Sequence, residues 1–144
     1  NLGILLSFDI FEHFATDEQL ECTGVWHELD KASGARVRVA RSGNRAYAKA
    51  LTQAVELNRT ALDAGGELAE ARSDAILVEV MAQTVLLDFE GLSYRGQTMP
   101  YSQANARVLL GVKDFRKRIS QWAEDASRYR AQLELEQGNV LAPT

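Results

Sequence analysis

A single cysteine, Cys22, excludes an internal disulfide and a cysteine-based zinc site. It fits a chain that works in a reducing cytoplasm. The two histidines, His13 and His27, are not at helical metal spacing. Each is read as a surface or partly packed residue. No stretch is suited to crossing a membrane, because the most apolar one, 74–89, is short and interrupted by Glu79 and Asp88. No secretory signal is read at the start: residues 2–6 are apolar but few, with no basic region before them and no small-residue cleavage site after. Positive charge is not in excess. The net charge is −4, which argues against a strong polyanion-binding field. There is no internal repeat and no low-complexity run. What remains is ordinary for a globular chain: 144 residues, 46% hydrophobic and 25% charged, enough for one domain with a real core.

The stretch 74–89 organises the reading. Ile76, Leu77, Val78, Val80, Met81, Val85, Leu86 and Leu87 would point almost all round a helix, with Glu79, Gln83 and Glu90 as the polar stripe. A helix apolar on most sides is a buried one, so this is the expected central helix. Before it, residues 1–15 are rich in Leu, Ile and Phe and are expected to dock, as ordered short elements. Residues 1–14 are also a candidate for self-association. Residues 22–40 read as a hairpin: Val25, and then Val37 and Val39, alternate with polar neighbours around the turn-forming Asp30-Lys31-Ala32-Ser33-Gly34. Asn44 caps a helix over 44–63, with one polar slip at Asn58, and Gly65-Gly66 ends it. After the central helix, Gly91 is expected at its C-terminal cap. Arg95-Gly96 turns a tiny hairpin, Pro100 keeps Met99 out of the helical region, and Ser102 caps a helix over 102–110. A last helix over 114–136 carries Phe115, Ile119, Trp122, Ala126, Tyr129 and Leu133 in one apolar seam. Residues 138–144 read as a loose tail. The expected fold class is mainly α (α+β): a helical bundle around a buried central helix, with a small N-terminal β-hairpin, as one domain over 1–137.

Charge is segregated near the hairpin. Asp9, Glu12, Asp17, Glu18, Glu21, Glu28 and Asp30 come with no basic residue among them; Lys31, Arg36, Arg38, Arg41, Arg45 and Lys49 then come with no acidic one. The first reading is cross-strand pairing of opposite charges on the solvent face. The second is a patch for an acidic partner, using Arg36, Arg38 and Arg41. Tyr94, Met99 and Tyr101 cluster in a polar turn. They read either as the turn packing onto the central helix or as partly exposed for partner contact. Catalytic and cofactor signatures are missing. Gly65-Gly66 lacks the flanking pattern of a phosphate loop, and no nucleophile elbow occurs. Asp88-Phe89-Glu90-Gly91 starts like a calcium loop, but Leu92, Tyr94 and Gln97 stand where ligands would follow. Cys22 has no basic neighbour in sequence to activate it. No enzyme, no cofactor and no metal is expected.

Three blocks, taken in order, resemble the tail assembly chaperones of long-tailed bacteriophages. The first is Glu21-Cys22-Thr23-Gly24-Val25-Trp26, then Val37-Arg38-Val39-Ala40-Arg41-Ser42-Gly43-Asn44 and Tyr47-Ala48-Lys49. The second is Val85-Leu86-Leu87-Asp88-Phe89-Glu90-Gly91-Leu92, then Gly96, Pro100-Tyr101-Ser102 and Ala104-Asn105-Ala106. The third is Asp114-Phe115-Arg116, then Ile119, Ala123-Glu124-Asp125 and Tyr129. Together they span residues 8–136. No single block is specific; their order and spacing carry the resemblance. Phe89 stands where similar sequences carry Trp. The resemblance implies a small, mainly helical, non-enzymatic protein of the host bacterial cytoplasm, absent from the mature virion. It implies binding to the tape measure protein and help for tail tube protein polymerising round it. It also implies a longer form made by a ribosomal frameshift, and the loose tail after Gly138 is where an added domain is expected to begin.

Two rival readings are a structural tail or head-tail joining protein retained in the virion, and a nucleic-acid-associated regulator using the basic run. The second lacks aromatic residues interleaved with that run and faces the negative net charge. Neither nucleic acid nor membrane is expected as a partner. Binding to duplex DNA at physiological salt is therefore expected to stay at the non-specific level, roughly 10⁻⁴ to 10⁻⁶ M; a gel shift at nanomolar protein contradicts it.

Overall fold

Short polar side chains set where the helices begin. Asp9, Asp17, Asn44 and Ser102 each accept a hydrogen bond from a backbone N–H of the turn that follows. In the computed structural model, which describes residues 7–131, these caps open α1 (Ile10–Phe14), α2 (Glu18–Thr23), α3 (Arg45–Leu57) and α6 (Gln103–Leu110). The other elements are β1 (Val25–Asp30), β2 (Ala35–Val39), α4 (Arg59–Asp63), α5 (Gly66–Thr84), β3 (Leu86–Glu90), β4 (Ser93–Tyr94), β5 (Gln97–Thr98), α7 (Lys113–Glu124) and a 3₁₀ turn, Ala126–Tyr129.

The expected mainly helical bundle is not what forms. The fold is mixed α+β, with 58% of the described residues in helix and 18% in strand, a strand share near that of ordinary mixed domains. Among the described residues there are two small sheets, one ordered β1-β2-β3 and antiparallel throughout, the other the β4-β5 hairpin. The difference lies at the end of the central helix. Helix α5 stops at Thr84, whose hydroxyl donates back to the Val80 carbonyl at 2.7 Å, and the chain extends at once into β3. Leu86 and Phe89 are buried while Glu90 is exposed. A short apolar run cannot be assigned to strand or helix by periodicity, and here an open edge of β2 takes it. The expected hairpin thus becomes two strands of a three-stranded sheet. Gly91 caps no helix but leaves β3 with φ +70°, where a Cβ would lie 3.1 Å from the Ala35 backbone.

Strand β2 sits in the middle. Ala35, Val37 and Val39 face inward and are buried; Arg36 and Arg38 face out. The inner face joins Leu86 and Phe89 of β3 to Met81, Ala82 and Val85 at the end of α5, Ala106, Leu109 and Leu110 of α6, and Ile119 and Ala123 of α7. Fully burying each large side chain of this set is worth about 1.5–3 kcal/mol. The β4-β5 hairpin turns at Arg95 (φ 50°) and Gly96 (φ 82°), two left-handed residues in succession. Its neighbours Leu92, Tyr94 and Met99 pack against the core.

Three other expectations are corrected. The 44–63 helix is two, α3 and α4, broken at Asn58. Its side-chain amide donates to the Ala54 carbonyl at 2.7 Å and its oxygen accepts from Arg72 at 2.9 Å. The last helix ends at Glu124 because Asp125 turns out of the helical region. Its carboxylate accepts from the Ser127 N–H and hydroxyl, starting the 3₁₀ turn. Phe115, Ile119 and Trp122 stay on α7, while Ala126 and Tyr129 ride on that turn and Arg130 is extended; residues 132–136 of the expected helix, Leu133 among them, and the expected tail 138–144 lie outside the described residues. Tyr129 is fully buried and donates to the Val39 carbonyl at 2.9 Å. Burial pushes its phenol up to about 12. Finally, the described part of the N-terminal stretch is tied down by the backbone at residues 15–17, but its large apolar side chains do not dock as expected. Phe8, Ile10, Phe11 and Phe14 are 60–64% exposed, and residues 1–6 lie outside the described residues. Among the described residues no helix is long and apolar enough to cross a membrane.

Replacing Val80, 1% exposed, with Asp puts an unpaired carboxylate in the core and is expected to cost more than about 4 kcal/mol; an unchanged melting temperature contradicts this. A pH effect follows from His27, buried on β1 and stacked on Trp122 with centroids 4.4 Å apart. Burial, then the nearby Arg128 charge, lowers its pKa below 6.5, against a smaller opposing effect of Asp125. The unfolded chain then takes up the proton first, so this contribution is present above pH 6.5 and is lost as pH falls below it. The melting temperature is expected to drop between pH 7 and 5.5, and a His27→Phe variant, which keeps the stack, is expected to drop less; equal drops contradict the assignment.

Candidate partner-binding surface

Within the basic run, the three arginines of the expected patch each find partners in the chain. In β2, Arg36 lies between Glu28 of β1 and Glu90 of β3, and Arg38 between Trp26 and Asp88. Arg36 pairs with Glu90 in a two-pronged contact, 2.7 and 3.1 Å, with its guanidinium 4.0 Å from the Trp26 ring centroid. The Arg36 guanidinium holds the Glu90 carboxyl below its usual range. The strongest opposite-charge pair of the sheet therefore joins β2 to β3, not the two strands of the expected hairpin. Arg38 donates to the Thr23 carbonyl. Arg41 approaches Glu21 at 3.9 Å and lies 5.6 Å from the Tyr129 ring centroid. Each of the three arginines is thus engaged within the chain.

The aromatic turn is similarly divided. Tyr94 and Met99 are half-buried against the core, while Tyr101 is 37% exposed and meets Phe89 edge to face at 5.2 Å. Tyr101 thus lies beside Phe89 of β3, while the Arg38 and Arg41 side chains reach toward α2.

A different surface has the shape of a binding site. Helices α3 and α5 pack side by side, yet no residue of α3 is buried. Between them runs an open trench of about 370 Å³, with Ala50, Ala54, Ala75, Ile76 and Val80 in its lining and Leu57, 87% exposed, at one end. Gln53 and Gln83 flank it, and both also line a second hollow of about 360 Å³ that carries it on to Lys49 and Gln103. The trench is narrow in charge. Arg72 donates to the neutral Asn58 oxygen at 2.9 Å. Glu79 accepts from Arg107 of α6 in a two-pronged contact and from Gln83 at 2.7 Å. Arg107 holds the Glu79 carboxyl below its usual range. Ala50 and Ala54 stand at helical spacing in the sequence. The sequence reading misses that alanines so spaced, opposite Ala75, leave space which larger side chains would fill.

A third hollow, about 380 Å³, is lined by Glu18, Glu21, Cys22, Asn44 and Arg45. Cys22 is exposed there. Among the described residues no group of three or more His, Cys, Asp or Glu is placed to hold a metal ion. His13 lies on α1, with Nδ1 2.8 Å from the Asp9 carbonyl oxygen, far in chemistry from the buried, stacked His27.

No curated protein and no solved structure matches the chain. A family model described as YdaY prophage protein matches residues 42–138, which run from the start of the α3 cap through the trench and the 3₁₀ turn. The match covers more than half of the chain, and the chain belongs to the YdaY prophage protein family.

Proposed function

We propose that this prophage protein is a non-enzymatic tail assembly chaperone, which binds the tape measure protein and assists polymerisation of the tail tube protein in the host cytoplasm. The observation that carries this reading is the α3–α5 trench. It is open, mainly apolar along its floor and flanked by amides, the profile of a site that takes an apolar helix face at helical spacing. A long helical partner exposes such stripes until other subunits cover them, and exposed stripes aggregate. A shallow alanine floor suits modest affinity, so that assembling tube subunits displace the chaperone. Prophage family membership is consistent with a tail partner. The resemblance of the three sequence blocks points the same way.

Co-expression with the tape measure protein of the same prophage tests this. Tape measure solubility is expected to rise, and Leu57→Asp is expected to weaken the complex by about tenfold or more, since burying a leucine is worth about 1.5–3 kcal/mol. Leu57 is 87% exposed, so the substitution leaves the fold intact. If solubility is unchanged and pull-downs recover neither tape measure nor tube protein, the reading fails. Recovery of the protein in purified virions by mass spectrometry would favour a structural component instead.

A further inference from the structure

We propose that α1 of one copy docks in the α3–α5 trench of a second copy, so that the protein associates head to tail with itself. Four large apolar side chains within seven residues, Phe8, Ile10, Phe11 and Phe14, are each at least 60% exposed. Soluble monomers rarely leave a patch of that density uncovered. The patch is also held in place. Phe8 stacks on His13 at 4.1 Å and meets Phe14 edge to face at 6.1 Å. Behind it, Ala131 N–H donates to the Ala15 carbonyl at 3.1 Å and Asp17 N–H to the Tyr129 carbonyl at 2.8 Å. A fixed apolar knob loses little freedom on docking.

Charge decides which surface receives it. Helix α1 and its cap carry Glu12 and Asp9, against one nearby cation, Arg130, whose guanidinium lies 5.8 Å from the Phe14 ring centroid. Pairing α1 with α1 about a two-fold axis would bring four carboxylates together, which is unfavourable. The trench has the opposite balance. Arg72 donates to the neutral Asn58 oxygen, Lys49 lies in the adjoining hollow, and Glu79 is already neutralised by Arg107. The trench floor of Ala50, Ala54 and Ala75 leaves room for phenyl rings. A knob and a trench on different surfaces make a heterologous contact, which builds rings or filaments instead of closed two-fold dimers. The tape measure reading uses the same trench, so a second copy and the tape measure protein would compete for it; self-association is tested with this chain alone.

Sedimentation velocity of the full chain at about 100 μM, where a micromolar contact is saturated, is expected to show assemblies larger than a monomer. Phe11→Asp and Leu57→Asp are each expected to sediment as monomers with unchanged circular dichroism. Mixed in equal amounts they are expected to form a dimer, because the intact α1 of the Leu57→Asp chain meets the intact trench of the Phe11→Asp chain. A monomeric wild-type chain overturns the proposal. So does an assembly that survives either substitution, or a mixture that stays monomeric. As an independent readout, Phe11→Cys and Leu57→Cys chains, each also carrying Cys22→Ser, are expected to cross-link to one another on oxidation; failure to do so when mixed also overturns it.

Discussion

Between Val39 and Asn44 the chain is tied by hydrogen bonds to almost every other part of the fold. The Val39 carbonyl accepts from the Tyr129 hydroxyl, and the N–H groups of Ala40, Arg41 and Ser42 donate to the carbonyls of Val85, Glu21 and Ala123. Asn44 then donates to the carbonyls of Arg41 and Thr84 while capping α3. Val39, Ala40 and Asn44 are buried. Buried backbone groups left without partners cost too much to be tolerated. This one segment therefore fixes where α5 must stop, where α7 must end and where the N-terminal region must cross.

The trench is a consequence of that arrangement. The C-terminal half of α5 is held against the sheet, with Val80, Met81 and Ala82 buried, while its N-terminal half from Glu67 to Ala75 lies away from the core. Helix α3 leaves the buried segment at Asn44 and runs alongside α5, with Asn58 and Arg72 closing the far end. Because α3 meets α5 mainly through alanines, the two helices approach without filling the space between them. Apolar surface stays open on the same side of the molecule as a cationic balance. At the opposite chemical extreme, α1 presents large apolar side chains with acidic neighbours.

Local chemistry was legible in the sequence; competition between distant segments was not. Asn44 and Ser102 announce helix starts because their side chains act within three residues. Arg95-Gly96 announces a turn for the same reason. The run from Val85 to Phe89 is apolar enough for either structure, and only the free edge of β2, some fifty residues earlier in the chain, makes it a strand. The seam through Ala126 and Tyr129 keeps helical spacing, yet Asp125 captures Ser127 and the Tyr129 hydroxyl is drawn to Val39. Arg36, Arg38 and Arg41 look like a patch in one dimension and are separately engaged in three. The trench has the weakest signature of all, since its defining property is volume that small residues leave empty.

The proposed occupant of the α3–α5 trench is an apolar helix face of the tape measure protein. Hydrogen exchange of the Phe11→Asp chain, whose trench is not filled by its own copies, measured free and with the co-expressed tape measure protein, tests it directly. Slower exchange is predicted along Arg45–Leu57 and Gly66–Thr84, beyond what the free chain shows, with Ser93–Tyr94 and Gln97–Thr98 unchanged. Protection confined to the β4-β5 hairpin and Tyr101, or no added protection in a complex that demonstrably forms, would contradict it.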